Sequence, residues 1–371
     1  MTTHWSRRAQ NDPRTRVLVL CGVLSLVAFA AVEWIMPPAS PPENSVPMLA
    51  AKKMEQAIDV VRAGFLSKGF RFDDALDPNH TGLIGDEYTE LTTTLGNLEA
   101  KRTTTNPAIA GLMVQLLREA GVKTGDTIAV GCSGSFPSVA IATLAASEAL
   151  GVTPLLIVSL GSSSYGATRT EMTLLDILDL LNSAGVFNRL PIAVSLGGAD
   201  DVGNEFEPEL RTLLLDKIKH SGIPLLFEAD LQKNVTRRLQ LYFGAAGTRP
   251  IAAFVNIGGN YADLGTNPAV LKLEPGVNRD VEIPEAKETH GVVFAIANRH
   301  IPVVHVLNIK GLALKYGLPW DPVPLPGADV TIQARTPIGL ISPTGLIIIL
   351  YFIALVLILV IRRRIFYRTS S

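Results

Sequence analysis

Residues 127–158, "TIAVGCSGSFPSVAIATLAASEALGVTPLLIV", constrain the fold more than any other stretch of the chain. A short apolar run from Thr127 leads into "GCSGSFP", a turn of glycine and small polar residues; a helical stretch follows, and a second apolar run ends at Val158. Strands that are apolar on both sides need cover on both faces, and two of them joined through a helix lie parallel. The rhythm continues. After strands at 127–130 and 154–160, more are expected at 191–196, 223–227, 251–257 and 301–307, with helices at 138–150, 171–184, 208–220, 231–243 and 291–299. The fold class is α/β: an open, mostly parallel, Rossmann-like sheet with helices on both faces. Upstream, residues 48–68 have helical periodicity, and Asn106 and Pro107 open a helix through "AIAGLMVQLLREAG". The polar connection between them is long, and long connections often carry function. Residues 264–288 break the rhythm and read as an excursion.

Two apolar runs flank this body, "VLVLCGVLSLVAFAAVEWIM" (17–36) and "IGLISPTGLIIILYFIALVLILVI" (338–361). Each reaches the roughly 20 residues that a helix needs to cross a bilayer core of ~30 Å. Arg7, Arg8, Arg14 and Arg16 precede the first; Arg362, Arg363, Arg364 and Arg368 follow the second. Flanking arginines favour the cytoplasmic side, so a two-pass protein is expected with both termini cytoplasmic and the body outside. A cleaved signal peptide is the rival for the first run, but "EWIMPP" has no small-residue cleavage pattern beside it. The expected division is a basic leader (1–16), a transmembrane helix (17–36), a proline-rich linker (37–47), an extracytoplasmic domain (48–318), a proline-rich tether (319–337), a second transmembrane helix (338–361) and a basic tail (362–371).

Without the eight terminal arginines, Asp12 and Glu33, the chain's 33 basic and 34 acidic residues become 25 and 32, so the extracytoplasmic part carries a formal charge of −7. There is no basic stripe of the kind a nucleic-acid partner requires. The two cysteines, Cys21 in the first apolar run and Cys132 in the opening turn, fall in different compartments and do not pair, so the body must be held by its core.

Ligands of open parallel sheets bind beyond the carboxyl ends of the strands, where the strand order reverses. Five turns stand there: "GCSGSFP", "GSSSYGAT", "GGADD", "EAD" and "GGNYADLG". Taken singly, each is an ordinary helix-capping turn; five on one edge favour a binding site. "GCSGSFP" has no lysine after its glycines and is no P-loop, lacks the third glycine of a dinucleotide turn, and is not G-x-S-x-G. Ser133, Gly134 and Ser135, before a helix whose dipole favours an anion, are candidate ligand-binding residues. Ser162, Ser163 and Ser164 of the second turn join them, with Asn256 and Asn260 around the fifth strand's end. Ser133 is also the candidate nucleophile. Cys132 is read as either a nucleophile with a lowered pKa or a small buried filler. Asp200 and Asp201 are candidate acid–base residues or, with Glu228 and Asp230, ligands for a divalent cation; helix capping explains Asp201 and Asp230 equally well. Of the histidines, His80 has a loop setting that suits a site, His220 reads as a helix C-terminal residue, and His300 and His305 as structural.

The strings "AKRTTTNP", "GCSGSFPSVAIATLAASEALG" and "GSSSYGAT" resemble the poly-gamma-glutamate system protein family, membrane-anchored bacterial proteins associated with the ligase and membrane subunit that make and export poly-gamma-glutamate. The resemblance runs from "NHTGLIGDEYTEL" to "IPVVHVLNIKGLALKYGLPWDP" and includes the terminal spans. It implies an accessory role in capsule-type polymer production at the bacterial cytoplasmic membrane. The polymer or a small anionic ligand, the ligase and its membrane subunit, and the lipid bilayer are the implied partners; an envelope hydrolase or transferase acting on gamma-glutamyl amides is the alternative. A body of charge −7 repels a polyanion, so local basic residues such as Arg102 and Arg169, or bound cations, must offset its field.

Overall fold

Apolar runs punctuated by proline and glycine become strands and helices much where their spacing places them. The structure, a computed structural model, describes residues 13–35, 45–328 and 343–368. The first twelve residues of the basic leader, most of the 37–47 linker and the 329–337 part of the tether lie outside the described residues. The chain forms two compact units, the terminal segments and the central body.

The terminal unit holds α1 (Pro13–Ile35), which pairs with the chain's last helix, Pro343–Arg368. Ser25 Oγ lies 2.8 Å from Tyr351 Oη across that pair. Among the described residues no helix is long and apolar enough to cross a membrane.

The central body begins with α2 (Val46–Ser67), β1 (Thr92–Thr94), α3 (Leu98–Thr104) and α4 (Ala108–Glu119). Asn106, one residue before the Pro107 N-cap of the last of these, accepts at its Oδ1 from Ala108 N at 3.0 Å. The βα rhythm follows as β2 (Thr127–Ser133), α5 (Pro137–Leu150), β3 (Thr153–Ser159), β4 (Ser162–Ser163), α6 (Leu174–Ser183), β5 (Ala193–Ser195), α7 (Pro208–Ser221), α8 (Leu231–Ala246) and β6 (Ile251–Ile257). After it come α9 (Tyr261–Leu264), β7 (Gly276–Asn278), α10 (Val292–Ala297), β8 (Val303–Val306), α11 (Ile309–Tyr316) and α12, the closing Pro343–Arg368 helix. Local chemistry fixes these bounds: Pro137 opens α5 and left-handed Gly151 ends it, while Thr173 and Asp176 close a capping box on α6.

The sheet order is β5-β3-β2-β6-β8-β7, with five parallel strands and an antiparallel edge, β7. In sequence order the parallel strands read 3-2-1-4-5, so the order reverses between β2 and β6. Ala129, Leu155, Ile157 and Phe254 face the apolar stripe of α8 and α10, whereas α2, α4 and α5 pack on one another as the opposite layer.

Two expectations change. Residues 223–227 add no strand: Pro224 has no N–H to give, and the segment meets β5 through a single bridge, Val194 to Leu225. The 264–288 excursion returns to the sheet as β7, which makes the sheet mixed.

Candidate functional site

The turns after β2 and β6 flank the point where the strand order reverses. The long 71–107 connection crosses the same edge, held there by the parallel pairing of β1 with β4, Thr92 to Ser162 and Thr94 to Ser163. Two cavities result. The larger, about 470 Å³, is lined among others by Gly96, Lys101, Ser135, Phe136, Ser163 and Lys310. The smaller, about 350 Å³, is lined by Ser133, Ser159, Gly161, Gly198, Asn260 and others. Thr94, Ser135 and Gly259 border both.

Lys101 is the main charged feature of the larger cavity. It sits on α3, is 3% exposed, and donates from Nζ to Ser163 Oγ at 2.7 Å and to the Ser135 carbonyl. Its Nζ also stands 3.9 Å from the centre of the Phe136 ring. Among the described residues it makes no ion pair, and burial pushes its pKa down to about 7. Gly96 is required beside it: a Cβ there would lie 2.4 Å from Ser164 O and 3.2 Å from Lys101 Cε. Lys310, at the start of α11, adds a second cation to the wall.

Beneath the smaller cavity lies a closed polar network. Arg238, 0% exposed, reaches Asp201 at 2.7 Å and Asp263 at 3.3 Å. Asp201 Oδ1 accepts from Ser195 Oγ at 2.8 Å, and from Ser159 Oγ and Asn260 Nδ2 at 3.2 Å each; its Oδ2 accepts from Asn234 Nδ2 at 3.0 Å. Burial raises the Asp263 carboxyl to about 6 against the pull of Arg238, with Asp201 raising it further. Among the described residues its Oδ2 has no hydrogen-bond partner, and it lies over Gly131 of β2, where a Cβ would stand 2.4 Å away. Burial opposes the Arg238 charge, but the two aspartates hold the guanidinium protonated.

The expected residues divide accordingly. Ser133 ends β2, 4% exposed, on the smaller cavity, with its Oγ accepting from Ser135 N at 3.4 Å. Gly134 N spends itself on the Ser159 and Gly161 carbonyls. Ser135 Oγ accepts from Ser163 N at 3.1 Å, which joins the first two turns. Ser162 Oγ donates to the neighbouring Ser163 O at 2.9 Å, within its own turn, whereas Ser164 Oγ donates to Thr94 O at 3.4 Å and ties that turn to β1. Asn260 caps α9 and contacts Ser159 and Asp201. Asn256 lies away from both cavities: its Nδ2 donates to Gly258 O at 3.1 Å and faces His305 Nδ1 at 3.3 Å. Burial takes His305 down to about 4.

Asp201 is spent on Arg238 and its neighbours, and Asp200 accepts from Asn204 Nδ2 at 2.8 Å with a left-handed φ of 55°. Asp230 caps α8 at Lys233 N, 2.9 Å, and Glu228 Oε1 accepts from Asp230 N. Among the described residues no group of three His, Cys, Asp or Glu is placed to hold a metal. Cys132 is fully buried and its thiol pKa is pushed up, which leaves it the filler of the two readings. His80 pairs with exposed Asp74 at 2.6 Å and stacks on Phe72. Arg102 and Arg169 are neutralised by Asp321 and Asp86, so the cations left facing the cavity are Lys101 and Lys310.

Lys101 is the residue that the sequence motifs passed over. Its signal was present: after Leu98, helix α3 has no large apolar side chain, so its inward face must be polar. Arg238 had one too, standing in the Leu231, Val235, Tyr242 stripe of α8. No family model, curated protein or solved structure matches the chain.

Proposed function

We propose that the body binds a carboxylate-bearing chain at the strand-order reversal, as the ligand-binding part of a membrane-anchored accessory component of poly-gamma-glutamate production and export. One observation carries the reading: Lys101, an ammonium with no carboxylate partner among the described residues, stands in the larger cavity, with Lys310 on the same wall. A buried cation lacking a counter-ion is costly, and an incoming carboxylate relieves that cost. The hydroxyls of Ser135 and Ser163 offer neutral hydrogen bonds beside it, and the overall charge of −7 is offset locally.

The anchoring rests on the terminal helices. Their described side chains cover 17–32 and 345–360, about 24 Å of helix each at 1.5 Å per residue, while the apolar sequence continues past both. Leu18, Val27, Phe29, Leu350, Phe352 and Val356 are all exposed, and a helix apolar around its circumference needs an apolar surrounding. The flanking arginines favour cytoplasmic termini, which supports a body outside the cell membrane, on the side where the polymer ligase's membrane subunit would meet it.

The test is equilibrium binding of gamma-linked glutamate oligomers to the full chain in detergent. Wild type is expected to bind, and Lys101→Met to lose at least about tenfold in affinity, the equivalent of ~1.4 kcal/mol. Equal binding by the two refutes the proposal.

A further inference from the structure

We infer that Ser163 and Lys101 form a nucleophile and general-base pair that transfers the acyl group of an amide in the bound chain to water. The inference rests on the carboxylate-binding reading of the same cavity, and it adds bond cleavage to it. Its basis is geometric. Ser163 Oγ lies 2.7 Å from Lys101 Nζ, within the range required of a base and its nucleophile, and both atoms' residues line the 470 Å³ cavity. The lysine is fixed from two further sides by the Ser135 carbonyl and the Phe136 ring, and Gly96 keeps its stem in place. Ser163 is fixed by its own N–H, which donates to Ser135 Oγ.

The neutral amine matches this setting. The ammonium donates to both Ser135 O and Ser163 Oγ; once it loses a proton, the amine keeps an N–H for Ser135 O and turns its lone pair to Ser163 Oγ, so that the hydroxyl becomes the donor across the same 2.7 Å. Burial makes that form accessible near neutral pH. The charged groups sharing the cavity are Glu99, on the same helix, and Lys310, on α11; neither ion-pairs with Lys101 among the described residues.

In the reaction, Lys101 takes the hydroxyl proton as Ser163 Oγ bonds to the amide carbon. The C–N bond then breaks, and the amine leaves with the proton held by Lys101. Lys101 next takes a proton from water, whose oxygen attacks the ester carbon. The ester C–O bond breaks, Oγ regains its proton, and a carboxylic acid departs. The net change is amide plus water to amine plus acid.

The experiment is labelling of the full chain in detergent with a fluorophosphonate, followed by peptide mass spectrometry. Wild type is expected to carry the label on Ser163, with a rate that rises with pH through a midpoint near 7. Ser163→Ala should abolish labelling at that peptide, and Lys101→Arg, which keeps a cation but supplies no base, should slow it by about 100-fold or more. Lys101→Met serves as the base-free variant if the arginine prevents folding, with thermal unfolding as the check. No label on wild type, label elsewhere that survives Ser163→Ala, or an undiminished rate without the lysine overturns the inference. Oligomer binding measured on the same samples separates the two claims: binding without labelling sinks the dyad alone, and labelling without binding sinks the polymer reading.

Discussion

A lysine side chain seldom lies 3% exposed without a carboxylate, and among the described residues Lys101 has none as it lines a cavity. Its pKa in the folded chain, about 7, lies below the value near 10.4 of an unfolded lysine. Between those values the unfolded chain binds the extra proton, so stability from this group rises with pH. Wild type should gain up to ~1.4 kcal/mol per pH unit relative to Lys101→Met from pH 7.5 to 9, read as a rise of its thermal unfolding midpoint relative to the variant's. Parallel curves for the two proteins would show that Lys101 is solvated and that its site is not a desolvated one.

The strand ends are the elements that matter here, and they were the most legible. Continuous apolar runs ending in small polar residues marked β2, β3 and β6, and their turns do border the cavities. What could not be read was how those turns divide their labour. Asp201 looks like an acid–base residue in "GGADD", yet it is spent on Arg238, which arrives from a helix 37 residues downstream. Such a partnership depends on strand order, and strand order is not written in local periodicity. The same holds for β7, whose three residues pair only because β8 offers an edge. The network also predicts an asymmetry between its two aspartates. Asp201→Asn removes the closest partner of a buried guanidinium and should cost about 3 kcal/mol or more, seen as a clear fall in thermal midpoint. Asp263→Asn should change stability by no more than about 1 kcal/mol at pH 7, because that carboxylate has no partner on Oδ2 among the described residues and sits near a like charge. A larger cost at Asp263 than at Asp201 would reverse the assigned roles.

At the scale of the whole chain, an α/β body is flanked in sequence by two apolar helices. Both ends should stay in the membrane pellet after carbonate extraction, a C-terminal fluorescent fusion should mature in the cytoplasm, and protease added to spheroplasts should cut the body. Protection of the body from that protease would contradict the topology. The central claim is narrower: the Lys101 ammonium recognises a carboxylate at the strand-order reversal. It implies that binding and acyl transfer respond to pH in opposite senses, since the ammonium binds and the free amine acts as base. The most direct measurement is therefore calorimetric titration of gamma-linked glutamate oligomers into the full chain at pH 6 and pH 9, for wild type and Lys101→Met. Wild type is expected to bind more tightly at pH 6 than at pH 9, and the variant to bind weakly and independently of pH. Wild-type affinity that is the same at both pH values and survives Lys101→Met would contradict it.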